Sequence, residues 1–419
     1  MGNLLSDVRF CLRGFARRPL FAVVVVATLA LGLSVNVAMY SIYEQVLVRE
    51  LPVAAPHELV NLAAPGPQEG TPSCSGIGTC EEVFSYPMFR DLERLPDSPF
   101  VAMAAHRDTD ANLGVDGQTV AGRGLLVSGG YFSLLGLKAE VGRLLDSNDD
   151  RVDGEASSVV LSYTYWESAF AEDPGAVGRE LVVNGKPLTI VGVAPRGFSG
   201  TSGSQRPQVF LPISFRWRDS PTALPNHTSR KVYWTYLFAR LKPGVSLEQA
   251  AAAINVPYRA IINDVDAPLV NDFAEQTMRE FRARTITLEP GERGQSQIDN
   301  DNVRALLTLL LVSTGLVLLI ASVNIANLFL ARSSARAGEI AVRASLGASK
   351  PRLVTLLLIE VSLLAACAAL ASLPLTLIAL RGIGGLLPAF AASTFDFDLS
   401  APLVGVTVML AAVATLVLG

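Results

Sequence analysis

The densest group of residues that could serve as a protein contact lies at 332–352, between two long apolar stretches. Arg336, Glu339 and Arg343 are three and four positions apart, so a helix would place the acid between two bases on one face. Gly347 is suited to end that helix in a left-handed cap. The spacing predicts a short charged helix facing the cytoplasm; the alternative is a solvated juxtamembrane helix.

Three polar side chains interrupt the apolar stretches, where such groups are expected to have a function. Asn324 and Asn327 share one helical face, and hydrogen bonding between helices is favoured over a transport site. Glu360 lies near the cytoplasmic end of its stretch. There it can reach the interface or pair with a loop arginine, which is favoured over a proton relay.

A stripe of small residues indicates a helix-packing face in the first apolar stretch. Ala30, Ser34 and Ala38 recur at every fourth position, which lets a second helix approach closely.

Cys74 and Cys80 bracket a Gly-rich loop in a region predicted to lie outside the cytoplasm. Thiols oxidise readily there, so we predict a disulfide. Two free thiols are the alternative, because spacing alone does not fix the required geometry.

Motifs for enzyme chemistry are missing from the sequence. The only Gly-Lys pair, Gly185 and Lys186, lacks the upstream glycine of a phosphate-binding loop and precedes Pro187. The three histidines lie far apart, and no G-x-S-x-G motif occurs. We therefore predict no catalytic residue, no metal, no cofactor and no ATP hydrolysis by this chain alone.

The elements that position these residues are mainly membrane helices. Half of the residues are hydrophobic and 17% are charged, which favours a membrane protein. Uncharged stretches long enough to span a bilayer predict transmembrane helices at 19–48, 303–331, 353–381 and 401–419. The alternative for the first stretch is a cleaved secretory signal, but its apolar run is too long for one. The fourth stretch runs to Gly419, so we expect a C-terminal truncation inside it.

The distribution of Lys and Arg predicts the orientation. Four arginines precede the first span, and five basic residues lie at 332–352. The stretch 382–400 instead contains two aspartates, Asp396 and Asp398, and neither Lys nor Arg. Basic loops stay in the cytoplasm. We therefore expect an N-terminal amphipathic helix at 1–18 on the cytoplasmic side and periplasmic placement of 49–302 and 382–400, in a bacterial inner membrane.

Residues 49–302 are predicted to form one large α+β domain inserted between the first and second spans. The turn at Asn184 and Gly185 predicts a β-hairpin, and Ser246 with Gln249 predicts a helix-capping box. A possible inserted subdomain covers about 125–222. The domain has 23 Lys and Arg against 32 Asp and Glu, so a nucleic-acid partner is not expected.

Several of these segments resemble the MacB/FtsX-like ABC permease superfamily. Residues 324–360 resemble its segment joining the second and third spans, and four stretches resemble its periplasmic core domain: 127–145, 159–170, 174–200 and 239–250. Within the superfamily, the chain most resembles one half of the duplicated orphan permeases described from acidobacteria.

The resemblance implies a permease that couples a cytoplasmic ATPase to a periplasmic domain for export or extrusion of substrate. It implies a separate ABC ATPase subunit, contacted through Arg336, Glu339, Arg343 and Gly347. It further implies a second permease half, as a homodimer or a fused repeat, in the lipid bilayer. The alternatives are an FtsX-like signalling or scaffold protein that regulates a periplasmic enzyme, and a membrane-anchored enzyme, which we do not expect.

Overall fold

The computed structural model describes residues 9, 11, 13, 15, 19–115, 117–150, 157–202, 206–216, 227–296, 301–335, 350–386 and 400–418. These residues belong to two compact units. One unit covers residues 49–298, and the other combines residues 1–48 with 299–419. Within the predicted helix at 1–18, the four described residues are helical.

The helices, in chain order, are α1 (Pro19–Leu47), α2 (Tyr86–Glu93), α3 (Tyr131–Leu135), α4 (Tyr163–Phe170), α5 (Leu247–Ile261), α6 (Glu275–Arg282), α7 (Asp301–Ala335), α8 (Lys350–Leu386) and α9 (Ala401–Leu418). The strands are β1 (Leu59–Ala63), β2 (Thr71–Pro72), β3 (Val83–Ser85), β4 (Phe100–Val115), β5 (Gln118–Val127), β6 (Val141–Gly142), β7 (Ser158–Leu161), β8 (Glu180–Val183), β9 (Lys186–Val193), β10 (Val209–Pro212), β11 (Val232–Leu241) and β12 (Thr287–Pro290).

Four helices are long and apolar enough to cross a bilayer: Pro19–Leu47, Asn302–Ala331, Leu358–Leu386 and Ala401–Leu418. Helix α1 contacts α7, α8 and α9. Its Val25, Leu29 and Leu33 are buried in a core shared with Leu318 and Phe329 of α7. The first helix therefore packs against each of the other three, and so does α9.

Residues 49–298 contain one mixed β-sheet, whose described strands follow the order β12-β1-β11-β4-β5-β10-β7-β9-β6. Strands β2 and β3 pair with β11, and β8 pairs with both β4 and β9. Strands β6 to β10, from the stretch at about 125–222, form one end of this sheet. Whether that stretch is a subdomain stays a prediction.

Two apolar cores cover the two faces of the sheet, because side chains alternate in direction along each strand. In β11, Leu237 and Ala239 belong to one core, and Tyr236 and Phe238 belong to the other. Helix α2 covers the first face and α3 the second. The second core also contains a buried histidine on β4, which is described below.

Local predictions within the domain are confirmed. Strands β8 and β9 pair antiparallel, and both Asn184 and Gly185 have positive φ in the turn between them. Ser246 and Gln249 form the predicted capping box of α5. The predicted fold class, four apolar helices with an α+β domain inserted after the first, is confirmed as well.

Candidate functional site

The predicted coupling residues Arg336, Glu339, Arg343 and Gly347 lie outside the described residues. Their role stays a prediction. The helices on either side of them, α7 and α8, end at Ala335 and begin at Lys350, respectively.

The structure places the two predicted intramembrane asparagines away from the core of the helical unit. Asn324 and Asn327 are exposed on α7, whereas their neighbours Ile325 and Phe329 are buried. Within the described part of the chain, neither asparagine side chain makes a hydrogen bond. Glu360, on α8, is half-buried. Among the residues that the structure describes, the two asparagines therefore do not join helices.

The predicted small-residue stripe faces the interior. Ala30, Ser34 and Ala38 are all buried in α1. The hydroxyl of Thr376, on α8, lies 3.5 Å from the carbonyl oxygen of Ser34. Small side chains at this face allow the backbones of α1 and α8 to approach.

An amide outside the predicted set of residues joins two of the apolar helices. Asn36 is 6% exposed, and its Nδ2 donates to the carbonyl of Gly32 at 2.9 Å and to that of Thr314, on α7, at 3.0 Å. At Gly32 an added Cβ would lie 2.9 Å from Cδ1 of Leu318, so the helices are close here. An amide inside the first uncharged stretch is the signal that could have identified it.

Cys74 and Cys80 form a disulfide with a Cα–Cα distance of 5.1 Å. The loop that it closes is fixed by β11 and β4. The Tyr236 hydroxyl accepts from the Ser75 N–H at 2.8 Å and donates to the Gly78 carbonyl at 3.0 Å. Arg107 donates to the backbone carbonyl of Ser73 and to its hydroxyl. The disulfide loop is thus tied to the centre of the sheet.

A buried polar relay crosses the second core beside this loop. His106 Nδ1 lies 2.9 Å from Thr201 Oγ1, which lies 2.8 Å from the Tyr131 hydroxyl. On the other side of the ring, Nε2 lies 2.8 Å from Oε1 of Gln295, whose Nε2 donates to Glu82 at 3.1 Å. We call these five residues the histidine relay. The four residues other than Glu82 are each at most 2% exposed.

The apolar surroundings keep the imidazole of the relay neutral. Burial lowers the pKa of His106 to about 4, although Gln295 and Asp108 act in the opposite direction. Burial also raises the pKa of Tyr131. At neutral pH, one nitrogen of His106 therefore donates and the other accepts.

The relay continues from Glu82 into the disulfide loop. One carboxylate oxygen of Glu82 accepts from the backbone N–H and the hydroxyl of Thr79, at 2.9 and 2.8 Å. The other oxygen binds Gln295. Glu82 therefore links the disulfide loop to the chain segment that precedes α7.

That segment, residues 291–296, is also held by backbone contacts. The backbone N–H of Gln295 donates to the Thr201 carbonyl at 2.9 Å. The Gly294 carbonyl accepts from the side-chain Nδ2 of Asn61 at 2.9 Å. The segment after α1 contacts it directly, because the Leu51 N–H donates to the Glu292 carbonyl at 2.8 Å.

Arg240 of β11 fixes the segment after α1. Its guanidinium donates to the carbonyls of Ala54 and Ala55 at 2.6 and 3.0 Å. It also donates to the Leu134 carbonyl and pairs with Glu58, both at 2.9 Å. Both segments that connect the sheet domain to the apolar helices are therefore anchored by side chains of the sheet.

The sheet domain contains a further buried ionisable group. Asp150 is 9% exposed and accepts from the Gly129 N–H at 3.1 Å. Burial raises the pKa of Asp150 to about 6, against the opposing effects of Gly129 and Arg90. Among the described residues, no group of three or more His, Cys, Asp or Glu could hold a metal.

Two family profiles match the chain. The family described as MacB-like periplasmic core domain matches residues 22–256, and the family described as FtsX-like permease C-terminal matches residues 311–419. Together they cover most of the sheet domain and most of the described apolar helices. The segment 257–310, between the two matches, is outside both.

Curated relatives are similar to part of the chain. The protein Macrolide export ATP-binding/permease protein MacB of Rhodopseudomonas palustris (strain BisB18) is 27% identical over 239 residues, which are 55% of this chain and 31% of that protein. The protein of the same name in Bradyrhizobium diazoefficiens is 24% identical over 297 residues, 71% of this chain and 40% of that protein. The chain thus covers well under half the length of these relatives.

Two solved structures are also similar to the chain. The periplasmic region of MacB from Actinobacillus actinomycetemcomitans has 14% identity and a TM-score of 0.38, covering 57% of this chain and 90% of that one. A domain of a permease protein from Porphyromonas gingivalis has 15% identity and a TM-score of 0.36, covering 61% and 98%.

Proposed function

Because the chain belongs to the MacB/FtsX-like ABC permease superfamily, we propose that it is the permease subunit of a MacB-type ABC transporter. It would couple the motion of a cytoplasmic ATPase to the periplasmic domain, for export or extrusion of a substrate. The observation that carries this proposal is the pair of family matches, one on the sheet domain and one on the last three apolar helices.

We propose that ATP hydrolysis is supplied by a separate subunit. The 419 residues contain no phosphate-binding loop motif. Relatives named as ATP-binding/permease proteins support a link to an ATPase, although the chain matches only 31% of one and 40% of another.

We also propose an inner-membrane topology with a cytoplasmic N-terminus. The basic residues before α1 and at 332–352 support it, since such loops remain in the cytoplasm. A variant without native cysteines and with a single new one tests it. In intact cells, an impermeant maleimide should label Lys138→Cys but not Ala337→Cys; labelling of both would contradict the topology.

Affinity purification from mild detergent tests the function. We expect recovery of an ATPase whose hydrolysis rate changes when this chain is present in lipid nanodiscs. Recovery of a cell-wall hydrolase without an ATPase would instead support an FtsX-like regulatory role and contradict the transporter proposal.

The coupling residues give this assay a matched control. Reversing Arg336 and Arg343 to Glu should abolish recovery of the ATPase, because both charges are proposed to face it. Lys138→Glu, on an exposed position of the sheet domain, should leave recovery unchanged. If all variants recover the ATPase equally, Arg336 and Arg343 do not contribute to its interface.

The surface of α7 supports the proposal of a second permease half. Six residues follow one another at intervals of four and three positions, the spacing of a helix-pairing seam. All six are exposed, and they are Ser313, Val317, Ile320, Asn324, Asn327 and Ala331. We call them the α7 seam.

The two asparagines favour a helix partner over lipid at the α7 seam. An amide in hydrocarbon is stabilised by a hydrogen bond to a neighbouring helix, at about 0.6 kcal/mol per bond. Asn can both donate and accept, so the same seam on a second half supplies a complementary partner.

Cross-linking in nanodiscs tests the role of the seam. Replacing Asn324 and Asn327 by Leu should weaken association of two copies, measured by cross-linking through Ile320→Cys. The control is Thr308→Leu, an exposed position of α7 outside the seam, because the hydroxyl of Thr308 already donates to the Arg304 carbonyl at 2.7 Å. Undiminished cross-linking in the double variant would exclude the asparagines from the contact.

A further inference from the structure

The donors and acceptors of the histidine relay can be assigned to one direction. Oε1 of Gln295 only accepts, so Nε2 of His106 must donate to it. The neutral ring then accepts at Nδ1 from the Thr201 hydroxyl, which in turn accepts from Tyr131. The opposite orientation of the Gln295 amide would place its oxygen against the carboxylate of Glu82.

Every step of this relay uses a different part of the sheet domain. Tyr131 begins α3, His106 lies on β4, and Thr201 lies between β9 and β10. Gln295 is the member that belongs to the segment before α7. It contacts the relay through three groups: the side-chain oxygen, the side-chain nitrogen and the backbone N–H.

Releasing Gln295 would leave buried polar groups without partners. The Nε2–H of His106 is fully buried, and burial of an unpaired donor is unfavourable. Glu82 would lose the donor to one of its two oxygens. The segment at 291–296 is therefore held to the sheet by a contact that resists partial opening.

We propose that Gln295 is a positioning residue, which makes segment 291–296 move as one body with the sheet domain. This inference rests on the proposed function, in which displacement of the second apolar helix is transmitted to the periplasmic domain. It assigns that transmission to segment 291–296. Displacement of the segment then reaches β4 and the disulfide loop together, through His106 and Glu82.

Hydrogen exchange of the full chain in nanodiscs tests the positioning role without any partner. In Gln295→Leu, the amides of Gly294 and Gln295 should exchange at least ~10-fold faster, since local opening no longer breaks the relay. The amide of Ile190, which donates to the Arg179 carbonyl, should be unchanged. Gln208→Leu removes an equivalent amide contact, to the Arg123 N–H, and should leave segment 291–296 protected.

A charge-swapped pair tests the direction of the relay. Gln295→Glu alone would set two carboxylates against each other and should also accelerate exchange. Combining it with Glu82→Gln restores an amide donor facing a carboxylate acceptor, so protection should return. A purely space-filling role for Gln295 predicts no such rescue.

The ATPase recovered with the chain provides the functional readout. Gln295→Leu should leave ATP hydrolysis within about twofold of wild type while abolishing the nucleotide-dependent change in exchange across β4. Unchanged exchange at Gly294, failure of the charge-swapped pair to restore protection, or a preserved nucleotide response in Gln295→Leu would each overturn the inference. If no ATPase is recovered, the proposed function fails, and the exchange of Gly294 and Gln295 still supports or overturns the positioning role.

Discussion

Two buried groups in the sheet domain should make its stability depend on pH in opposite directions. The pKa of His106 falls from 6.5 to about 4 on folding, so the unfolded chain binds the proton more tightly. The stability associated with the neutral His106 is fully present above pH 6.5 and is lost as pH falls towards 4. At 1.36 kcal/mol per unit, the loss amounts to about 3 kcal/mol.

Asp150 acts in the reverse sense over nearly the same range. Its pKa rises from 3.8 to about 6 on folding, so the folded domain binds the proton more tightly. Its contribution is greatest below pH 3.8 and is lost as pH rises through 6, again by about 3 kcal/mol. Between pH 4 and 6 the two effects therefore offset each other in the wild-type domain.

Single variants should expose each effect. Relative to wild type, His106→Gln should lose stability at pH 6 by about 2 kcal/mol more than at pH 4, because only part of the full effect falls within this range. Relative to wild type, Asp150→Asn should instead gain about 2 kcal/mol more at pH 6 than at pH 4. The double variant should restore a pH dependence close to that of wild type.

Urea unfolding of the full chain in detergent measures these differences. All three tryptophans lie between residues 49 and 302, so their fluorescence follows the sheet domain alone. The change between pH 4 and 6 is compared among variants, which cancels titrations common to all of them. If His106→Gln shifts stability equally at both pH values, a neutral buried imidazole is not the cause.

Three further predictions concern single contacts. Replacing Cys74 and Cys80 by Ser should destabilise the sheet domain by about 2 kcal/mol in urea, because the unfolded loop gains entropy; no change in the urea midpoint would contradict this. Asn36→Leu should weaken packing of α1 on α7 by about 1 kcal/mol, measured by helix unfolding in SDS. An unaltered SDS midpoint would show that the hydrogen bond from Asn36 to Thr314 does not stabilise this packing. Arg240→Met should accelerate amide exchange of Ala54 at least ~10-fold, since it removes the donors that hold this segment, and persistent protection would refute the anchor.

Local and compositional features could be predicted from the sequence. The four apolar helices follow from stretch lengths, and the superfamily assignment is confirmed by the two profile matches. The turn at Asn184 and the cap at Ser246 were predictable because their residue types satisfy the backbone within a few positions.

Contacts between distant residues could not be predicted in this way. His106 and Gln295 are 189 positions apart, and neither occurs in a recognisable motif. Asn324 and Asn327 were predicted to hydrogen-bond between helices, but periodicity alone does not tell which face of α7 meets α1. The structure shows them exposed, so their bonding between helices stays a prediction, whereas among the described residues Asn36 makes an interhelical amide bond.

The hydrogen bond between Leu51 and Glu292 brings the two ends of the sheet domain together. Because its ends are adjacent, the whole domain could be excised and a short peptide substituted without stretching either flanking segment. A related domain with equally close ends could be grafted in the same place. The sheet domain could therefore be exchanged for another during evolution while the apolar helices are retained.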